Sequence, residues 1–185
     1  SDGLSQASHQ WELTVTHVER DIAIVNITLS KNIVAEGLTI PFEVIITNQG
    51  ELTETFNITA NANTTIIRTV TDITLTSGNS TIITFTWNTS GVAKGNYTIT
   101  ATATQLPDET DTLDNTLSDG WIIVTLVGDV NADGKVDIED IFNIALCYGT
   151  SIGQLGYDPN RDINGDDKID IEDIYTAALH YGETW

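Results

Sequence analysis

The sequence predicts an all-β sandwich followed by a small α-helical module that contains an internal duplication. Up to residue 127, apolar and polar residues alternate in short runs that are rich in Thr, Val and Ile. From residue 128 the apolar residues instead recur every three or four positions, and the segment Asp129 to Asp140 is repeated as Asp162 to Asp173. These changes divide the chain into an N-terminal extension (1–19), a sandwich (20–127) and a C-terminal module (128–185).

The strands of the sandwich are predicted from runs in which every second residue is apolar, as expected where one face of a strand is buried. The runs are Ala23/Val25/Ile27/Leu29, Phe42/Val44/Ile46, Phe56/Ile58, Ile83/Phe85/Trp87, Tyr97/Ile99/Ala101 and a final strand from Trp121 to Val127. Turn sequences rich in Asn and Gly separate these runs. About seven short strands with this spacing are typical of an immunoglobulin-like sandwich.

Two helices are predicted in the C-terminal module, one directly after each copy of the repeated acidic segment. A glycine follows each helix, Gly149 or Gly182, and we expect it to adopt a left-handed conformation there. Cys147 lies within the first helical pattern, and we expect a buried, inert thiol. The apolar residues at helical spacing are Ile138, Ile141, Phe142, Ala145 and Tyr148 in the first helix, and Ile171, Ile174, Tyr175, Ala178 and Tyr181 in the second.

The charge of the chain restricts its partners. It has 27 acidic and 7 basic residues and a formal net charge of −20. Such a surface repels nucleic acid and anionic lipid, and it attracts divalent cations. No stretch reaches the ~18 consecutive apolar residues that a membrane-spanning helix needs. We therefore expect neither nucleic-acid binding nor direct membrane insertion.

Asn-x-Ser/Thr sequons, all before residue 100, indicate an exported glycoprotein. They are at Asn26, Asn57, Asn63, Asn79, Asn88 and Asn96. The chain begins at Ser1 and contains no Met, as expected of a mature form whose signal peptide has been removed, although a trimmed chain would look the same. We predict that the protein is secreted and is extracellular or attached to the cell surface.

The repeated acidic segments, DVNADGKVDIED and DINGDDKIDIED, have the spacing of the calcium loop of an EF-hand. Oxygen-bearing side chains stand at loop positions 1, 3, 5, 9 and 12, and position 7 contributes a backbone carbonyl. Gly134 provides the sharp turn of the first loop, whereas Asp167 replaces it in the second, so we expect a weaker or less regular second site. The predicted ligands of two calcium ions are Asp129, Asn131, Asp133, Lys135, Asp137 and Asp140 in the first loop, and Asp162, Asn164, Asp166, Lys168, Asp170 and Asp173 in the second.

These loop–helix units lack an entering helix and start 33 residues apart, at 129 and 162, so that the region Gly128 to Tyr181 resembles a type I dockerin domain. The resemblance implies calcium-dependent binding to a cohesin-like β-sandwich partner. It also implies that the residues just after loop position 9 contact this partner; here they are Ile138, Glu139, Ile171 and Glu172. Cellulosomal dockerins commonly have a Ser/Thr pair there, and these isoleucines would also fit a core position, so both interpretations stay open.

The region from Arg20 to Val127 resembles a CARDB-type domain, an immunoglobulin-like adhesion fold of prokaryotic surface proteins, including archaeal ones. The segments ITNQGELTETFNITA, KGNYTITATA and LPDETDTLDNTLSDGW show this resemblance. It implies no activity. The acidic loop of the last segment, with Asp108, Glu109, Asp111 and Asp114, is interpreted either as a solvated loop or as a site for another cation.

The N-terminal extension contains a further predicted strand, in which Trp11, Leu13 and Val15 share one face. Its sequence is similar to that of the last strand of the sandwich, so the domain has a surplus strand that would leave an exposed edge if unpaired. Either it extends the sheet of its own domain, or it augments the sheet of a neighbouring molecule.

No catalytic motif is recognisable, and we predict a protein that is not an enzyme. Our main hypothesis is an extracellular protein that assembles through its calcium module, either on another β-sandwich or head-to-tail into a filament of its own copies. The alternative is a glycan- or protein-binding sandwich that its module attaches to a separate cohesin-bearing scaffold.

Overall fold

The structure is a computed structural model that describes residues 18–185. The predicted N-terminal strand with Trp11, Leu13 and Val15 lies outside these residues. The two alternatives for the sheet that this strand joins therefore remain predictions from the sequence.

Within the described residues, the sandwich consists of a three-stranded and a five-stranded sheet. The first has the strand order β1-β3-β6 and the second the order β2-β8-β7-β4-β5. All neighbours are antiparallel except β2 and β8, which run parallel. The strands are β1 (Ile22–Leu29), β2 (Ile33–Ala35), β3 (Thr39–Asn48), β4 (Glu54–Ala62), β5 (Thr65–Leu75), β6 (Ser80–Asn88), β7 (Gly95–Ala103) and β8 (Thr116–Thr125).

The two sheets enclose one apolar core. Phe42 of β3 and Phe85 of β6 stack with their ring centroids 5.4 Å apart, and Ile58, Ile99 and Ile122 of the opposite sheet are fully buried. Each of these side chains comes from the apolar face of a strand with period-2 alternation. The alternation predicted for β3, β4, β6 and β7 is therefore confirmed.

The alternation predicted for β1 is wrong at Val25, whereas Ala23 and Ile27 are buried and Leu29 packs against the core as predicted. A β-bulge between Ile24 and Asn26 leaves Val25 without a partner in β3, and the Val25 side chain is 54% exposed. The bulge inserts one residue and moves the following side chains to the opposite face. The buried residues of β1 are therefore Ile22, Ala23, Ile24 and Ile27.

Two strands of the second sheet were not predicted, and β8 begins before Trp121. Strand β2 has three residues, too few to show a period. Strand β5 lies at the edge of the sheet, and its pairing with β4 shifts register twice. Exposed apolar residues such as Ile66 of β5 obscure the alternation.

The C-terminal module is mostly loop. It contains two helices of nine residues, α1 (Ile138–Leu146) and α2 (Ile171–Leu179), and a pair of two-residue strands, β9 (Thr150–Ser151) and β10 (Lys168–Ile169). The predicted α-helical module is therefore less helical than expected. Its small core includes the fully buried Ile144, Ile169 and Ala177, and the unpaired Cys147 lies beside them.

Polar contacts join the module to the sandwich. The Asn160 side-chain oxygen accepts hydrogen bonds of 3.0 Å from the backbone amides of Asn32 and Ile33, at the start of β2. The Asn160 amide group donates in turn to Asn32 Oδ1 at 2.8 Å. One side chain of the module thus continues the hydrogen bonding of a sandwich strand, which holds the two parts against each other.

Candidate metal centres

The first residue of each acidic loop is a buried aspartate. Asp129 is 1% exposed and Asp162 is 3% exposed. Asp129 accepts hydrogen bonds from the backbone amides of Asp133 at 3.1 Å and Gly134 at 3.0 Å. Asp162 accepts equivalent bonds from Asp166 and Asp167 at 3.2 and 2.9 Å. The loop backbone therefore wraps around this carboxylate in both copies.

The last residue of each loop, Asp140 or Asp173, closes the loop from the first turn of its helix. Both are fully buried. Asp140 Oδ1 accepts from the Val130 amide at 3.0 Å, and its Oδ2 accepts from the Asp137 amide at 2.9 Å. The second loop repeats these bonds from Ile163 to Asp173 Oδ1 and from Asp170 to Asp173 Oδ2. These two aspartates thus connect the two ends of their loops.

The side chains at positions 3, 5 and 9 form a series of short turns. In each, the side-chain oxygen accepts from the backbone amide two residues ahead at 2.8–3.1 Å. The residues involved are Asn131, Asp133, Asp137, Asn164, Asp166 and Asp170. Lys135 and Lys168, at position 7, are exposed, and the Lys135 ammonium lies 3.4 Å from the Asp133 carboxylate.

Each loop contains one residue other than glycine in the left-handed region. Asp167 has φ +66° where the first loop has Gly134, as the sequence predicted. The first loop has its own strained position, Ala132 at φ +58°, where the second loop has Gly165. A left-handed conformation costs a residue with a Cβ about 1–2 kcal/mol. Backbone strain is therefore shared between the loops, and it does not by itself make the second loop the less regular one.

The buried carboxylates are electrostatically unfavourable as they stand. Burial raises the pKa of Asp140 and of Asp173, while backbone hydrogen bonds oppose this increase. Among residues 18–185, no group of at least three His, Cys, Asp or Glu side chains has the geometry of a metal site. The predicted ligand sets also include amide and backbone oxygens, and an all-oxygen set of this kind suits a hard cation such as calcium. The donor chemistry of both loops therefore fits that ion.

Three residues that the sequence did not single out support the loops. The Thr125 hydroxyl donates to Asp129 Oδ2, and the Tyr157 hydroxyl donates to Asp162 Oδ2 at 2.8 Å. The Trp185 indole donates to Thr125 Oγ1 at 3.1 Å. Burial and the adjacent Asp162 carboxylate raise the pKa of Tyr157. None of the three lies within an acidic loop, so the loop motif gives no signal for them.

A lysine of the sandwich reaches the second loop. The Lys31 ammonium donates a hydrogen bond of 3.0 Å to the backbone carbonyl of Asp162. Burial lowers the pKa of Lys31, while the charges of Asp162 and Asp173 oppose this decrease. The lysine also lines a cavity of about 480 Å³ beside the second loop, with Leu38, Tyr157 and Asn164 among its walls.

The apolar residues that predicted the helices are mostly on their solvent-facing sides. We call the exposed residues Ile138, Phe142 and Leu146 of α1 and Ile171, Tyr175 and Leu179 of α2 the apolar stripes. Each of the six is 61–64% exposed. The predicted contact residues Glu139 and Glu172 lie next to the stripes and are exposed too. In α1 the core side is instead formed by Ile144 and the half-buried Ile141.

The sequon asparagines lie on the surface of the sandwich. Asn63, Asn79, Asn88 and Asn96 are exposed, and Asn26 and Asn57 are half-buried. Of the half-buried pair, Asn57 Oδ1 accepts a hydrogen bond from the Asp72 amide at 3.0 Å. All six are thus outside the apolar core of the sandwich.

Comparisons with known proteins concern the sandwich. No protein-family model matches the sequence, and no curated protein matches it. The CARDB domain of a Pyrococcus furiosus protein, solved in complex with di-metal ions, has 21% identity and a TM-score of 0.52, covering 60% of this chain and 99% of that one. No helix in residues 18–185 is long and apolar enough to cross a membrane.

Two further solved structures match less well. A domain of a predicted cell surface protein from Methanosarcina acetivorans has 26% identity and a TM-score of 0.47, covering 57% of this chain and 92% of that one. A β-glucosidase from Erythrobacter marinus has 9% identity and a TM-score of 0.46, covering 57% of this chain and 16% of that one. The Pyrococcus match shows the fold: this chain contains a mostly β domain with the immunoglobulin-like fold of CARDB domains.

Proposed function

We propose that the two acidic loops each bind a calcium ion, and that the module so formed docks onto a β-sandwich partner. The calcium part is supported by the same arrangement of buried aspartates, amides and turns in both loops. Residues Asp129 to Asp140 and Asp162 to Asp173 would hold the ions. A bound calcium ion would supply positive charge that offsets the desolvation of these carboxylates.

The docking part is supported chiefly by the two apolar stripes. Six large apolar side chains more than half exposed are unusual on one small module, and such patches commonly mark protein contacts. The stripes begin at Ile138 and Ile171, the positions that the dockerin resemblance assigns to the partner. A helix that presents an apolar face can pack on the outer face of a β-sandwich, whereas a polar helix face would stay in contact with solvent.

The proposed partner is the sandwich of another copy of this chain, with no catalytic step involved. A module at one end that binds a sandwich at the other makes a heterologous contact, which grows into a filament unless it closes into a ring. The acidic surface and the sequons favour an extracellular or cell-surface setting, where calcium is abundant. The Pyrococcus CARDB domain with di-metal ions is a precedent for cation binding by a domain of this fold.

Sedimentation velocity of the full chain tests this proposal. Large assemblies are expected in millimolar calcium, and single chains are expected after chelation. Phe142→Ala combined with Tyr175→Ala removes two ring systems from the stripes without touching a predicted ligand, and we expect it to weaken assembly at least about tenfold. The control is Leu155→Ala, which removes a fully exposed apolar side chain outside the stripes.

The outcomes separate the alternatives. Assemblies that keep their size in chelator would contradict the calcium requirement, and assembly by the double variant at wild-type strength would contradict docking through the stripes. Single chains in calcium would exclude self-assembly and favour the second function. In that function the sandwich binds a glycan or protein, and the module attaches it to a separate cohesin-bearing scaffold.

A further inference from the structure

The acidic loop between β7 and β8 packs against the start of β1. Glu109, in this loop, is 5% exposed, and its carboxylate accepts hydrogen bonds from the Ile22 amide at 2.9 Å and the Leu106 amide at 2.7 Å. The Ile24 amide donates to the Asp114 carbonyl at 2.8 Å. These bonds bring the Asp114 and Asn115 side chains into the neighbourhood of Asp21, the residue just before β1.

Three side-chain oxygens at this place are buried and have no hydrogen-bond donor within residues 18–185. They are Asp21 Oδ1, Asp114 Oδ1 and Asn115 Oδ1. Asp21 is 6% exposed and Asn115 is 4% exposed. The Asn115 amide nitrogen donates to Glu109 Oε2 at 3.0 Å, so the orientation of this side chain is fixed: a flipped amide would place two acceptors against each other. Buried oxygens without a donor cost free energy unless another group satisfies them.

No protein cation neutralises these carboxylates among the described residues. Arg20 is adjacent in sequence, but its guanidinium lies 3.3 Å from the Glu54 carboxylate and donates to the Pro107 carbonyl. Burial, followed by the charges of Asp114, Asp111, Glu109 and Glu19, raises the pKa of Asp21 to about 6. At neutral pH this end of the sandwich therefore concentrates negative charge around unsatisfied oxygens.

We propose that Asp21, Asp114 and Asn115 form a binding site for a hard divalent cation, separate from the two C-terminal loops. The three oxygens without donors are its ligands from the protein, and water completes the shell because Asp114 is only half-buried. An all-oxygen set that contains two carboxylates suits calcium rather than a metal that prefers sulfur or imidazole. Glu109 is a positioning residue, since its oxygens already accept hydrogen bonds from the protein.

The site is tested by counting calcium ions bound to the full chain, by equilibrium dialysis at pH 7.5. We expect Asp21→Asn combined with Asp114→Asn to bind one ion fewer than the wild type. The replacements keep the shape of the side chains and remove buried charge, so folding should survive, and circular dichroism checks it. The control is Glu43→Gln, which removes an exposed charge from β3 and should leave the count unchanged.

An unchanged count in the double variant would overturn the proposal, because Asp21 and Asp114 would then hold no calcium ion. The result is independent of the loops, because Asp140→Asn and Asp173→Asn report on those sites separately. Loss of an ion only in the loop variants would sustain the calcium module and refute this site. Loss of an ion only in the variant with Asp21→Asn and Asp114→Asn would support this site and would contradict calcium binding by the loops.

Discussion

At the scale of single residues, buried carboxylates are the most unusual feature of this acidic chain. Asp129, Asp140, Asp162 and Asp173 are at most 3% exposed, although a carboxylate is rarely buried without a charged partner. Backbone amides satisfy part of their hydrogen-bonding capacity, but amides carry no net charge. The remaining requirement for positive charge is what a bound cation would meet.

Asp21 allows a prediction about pH. Its pKa is about 6 in the folded chain against 3.8 as an unperturbed group, so the folded state binds a proton more tightly than the unfolded state. Without divalent cations, the stability of the sandwich should therefore decrease as pH rises through 4 to 6 and stay low above that range. Asp21→Asn should stabilise the chelated protein by roughly 1–3 kcal/mol at pH 8, and by little near pH 4.

Thermal denaturation in chelator at both pH values measures this effect, with Glu43→Gln as the control for loss of an exposed charge. Equal stabilisation by Asp21→Asn at pH 4 and pH 8 would show that the proton on Asp21 is not the cause. Excess calcium at pH 8 should reduce the advantage of the variant, because the cation then compensates the wild-type carboxylate.

At the scale of elements, the two loops differ in where their backbone is strained. Ala132→Gly should stabilise the first loop by about 1 kcal/mol, because glycine adopts the φ of +58° found there without a steric penalty. The measurement is calcium affinity together with the unfolding temperature of the full chain. Ala178→Gly is the matched control, because this exposed helical residue has no steric penalty that glycine could remove. The change should destabilise the chain by about 1 kcal/mol. Destabilisation by both changes would contradict the account of strain.

The strands that the sequence predicted correctly are those whose period is uninterrupted from end to end. Strand β3 alternates without a break from Ile40 to Asn48, and its buried face follows directly. Strand β1 contains a bulge, which no local residue preference reveals. Ile22 and Ile24 therefore join the core before the bulge and Val25 does not, whereas Ile27 and Leu29 lie on the predicted face after it. Strand β5 lies at an edge, where burial no longer separates apolar from polar positions.

The loops were predictable because their function-bearing residues are consecutive. Spacing alone identified Asp129 and Asp140, and the structure buries both. Thr125, Tyr157 and Trp185 approach these aspartates only through folding, and no short-range pattern places them there. Helical spacing located α1 and α2, but periodicity cannot tell which side of a nine-residue helix meets the core. The sequence therefore left the core and surface interpretations of Ile138 and Ile171 open, and the structure shows both side chains exposed.

At the scale of the whole molecule, Asn160 is one of the side chains that join the module to the sandwich. Asn160→Ala removes the acceptor for two backbone amides of the sandwich, at a cost of about 1–3 kcal/mol for donors left without a partner. We expect the Asn32 and Ile33 amides to exchange hydrogen at least about tenfold faster in the variant. Asn96→Ala, an exposed change on β7, is the control and should leave both amides protected.

The same exchange measurement also tests whether calcium binding in the module affects the sandwich. If calcium slows exchange at Asn32 and Ile33 in the wild type but not in Asn160→Ala, order in the second loop is transmitted to β2 through one side chain. Unchanged exchange in Asn160→Ala would mean that other contacts, such as that of Lys31 with the Asp162 carbonyl, are sufficient to join the two parts.

The segment after α2 returns along the first loop, where the Trp185 amide donates to the Gly134 carbonyl at 3.1 Å and Thr184 pairs with Lys135. Its indole contacts Thr125, which in turn contacts Asp129, whereas a tyrosine, Tyr157, stands at the corresponding place in the second loop. The indole emission that is lost in Trp185→Phe therefore reports on the first loop, and the phenol absorption that is lost in Tyr157→Phe reports on the second. These two difference signals follow events at the two loops in one unlabelled molecule.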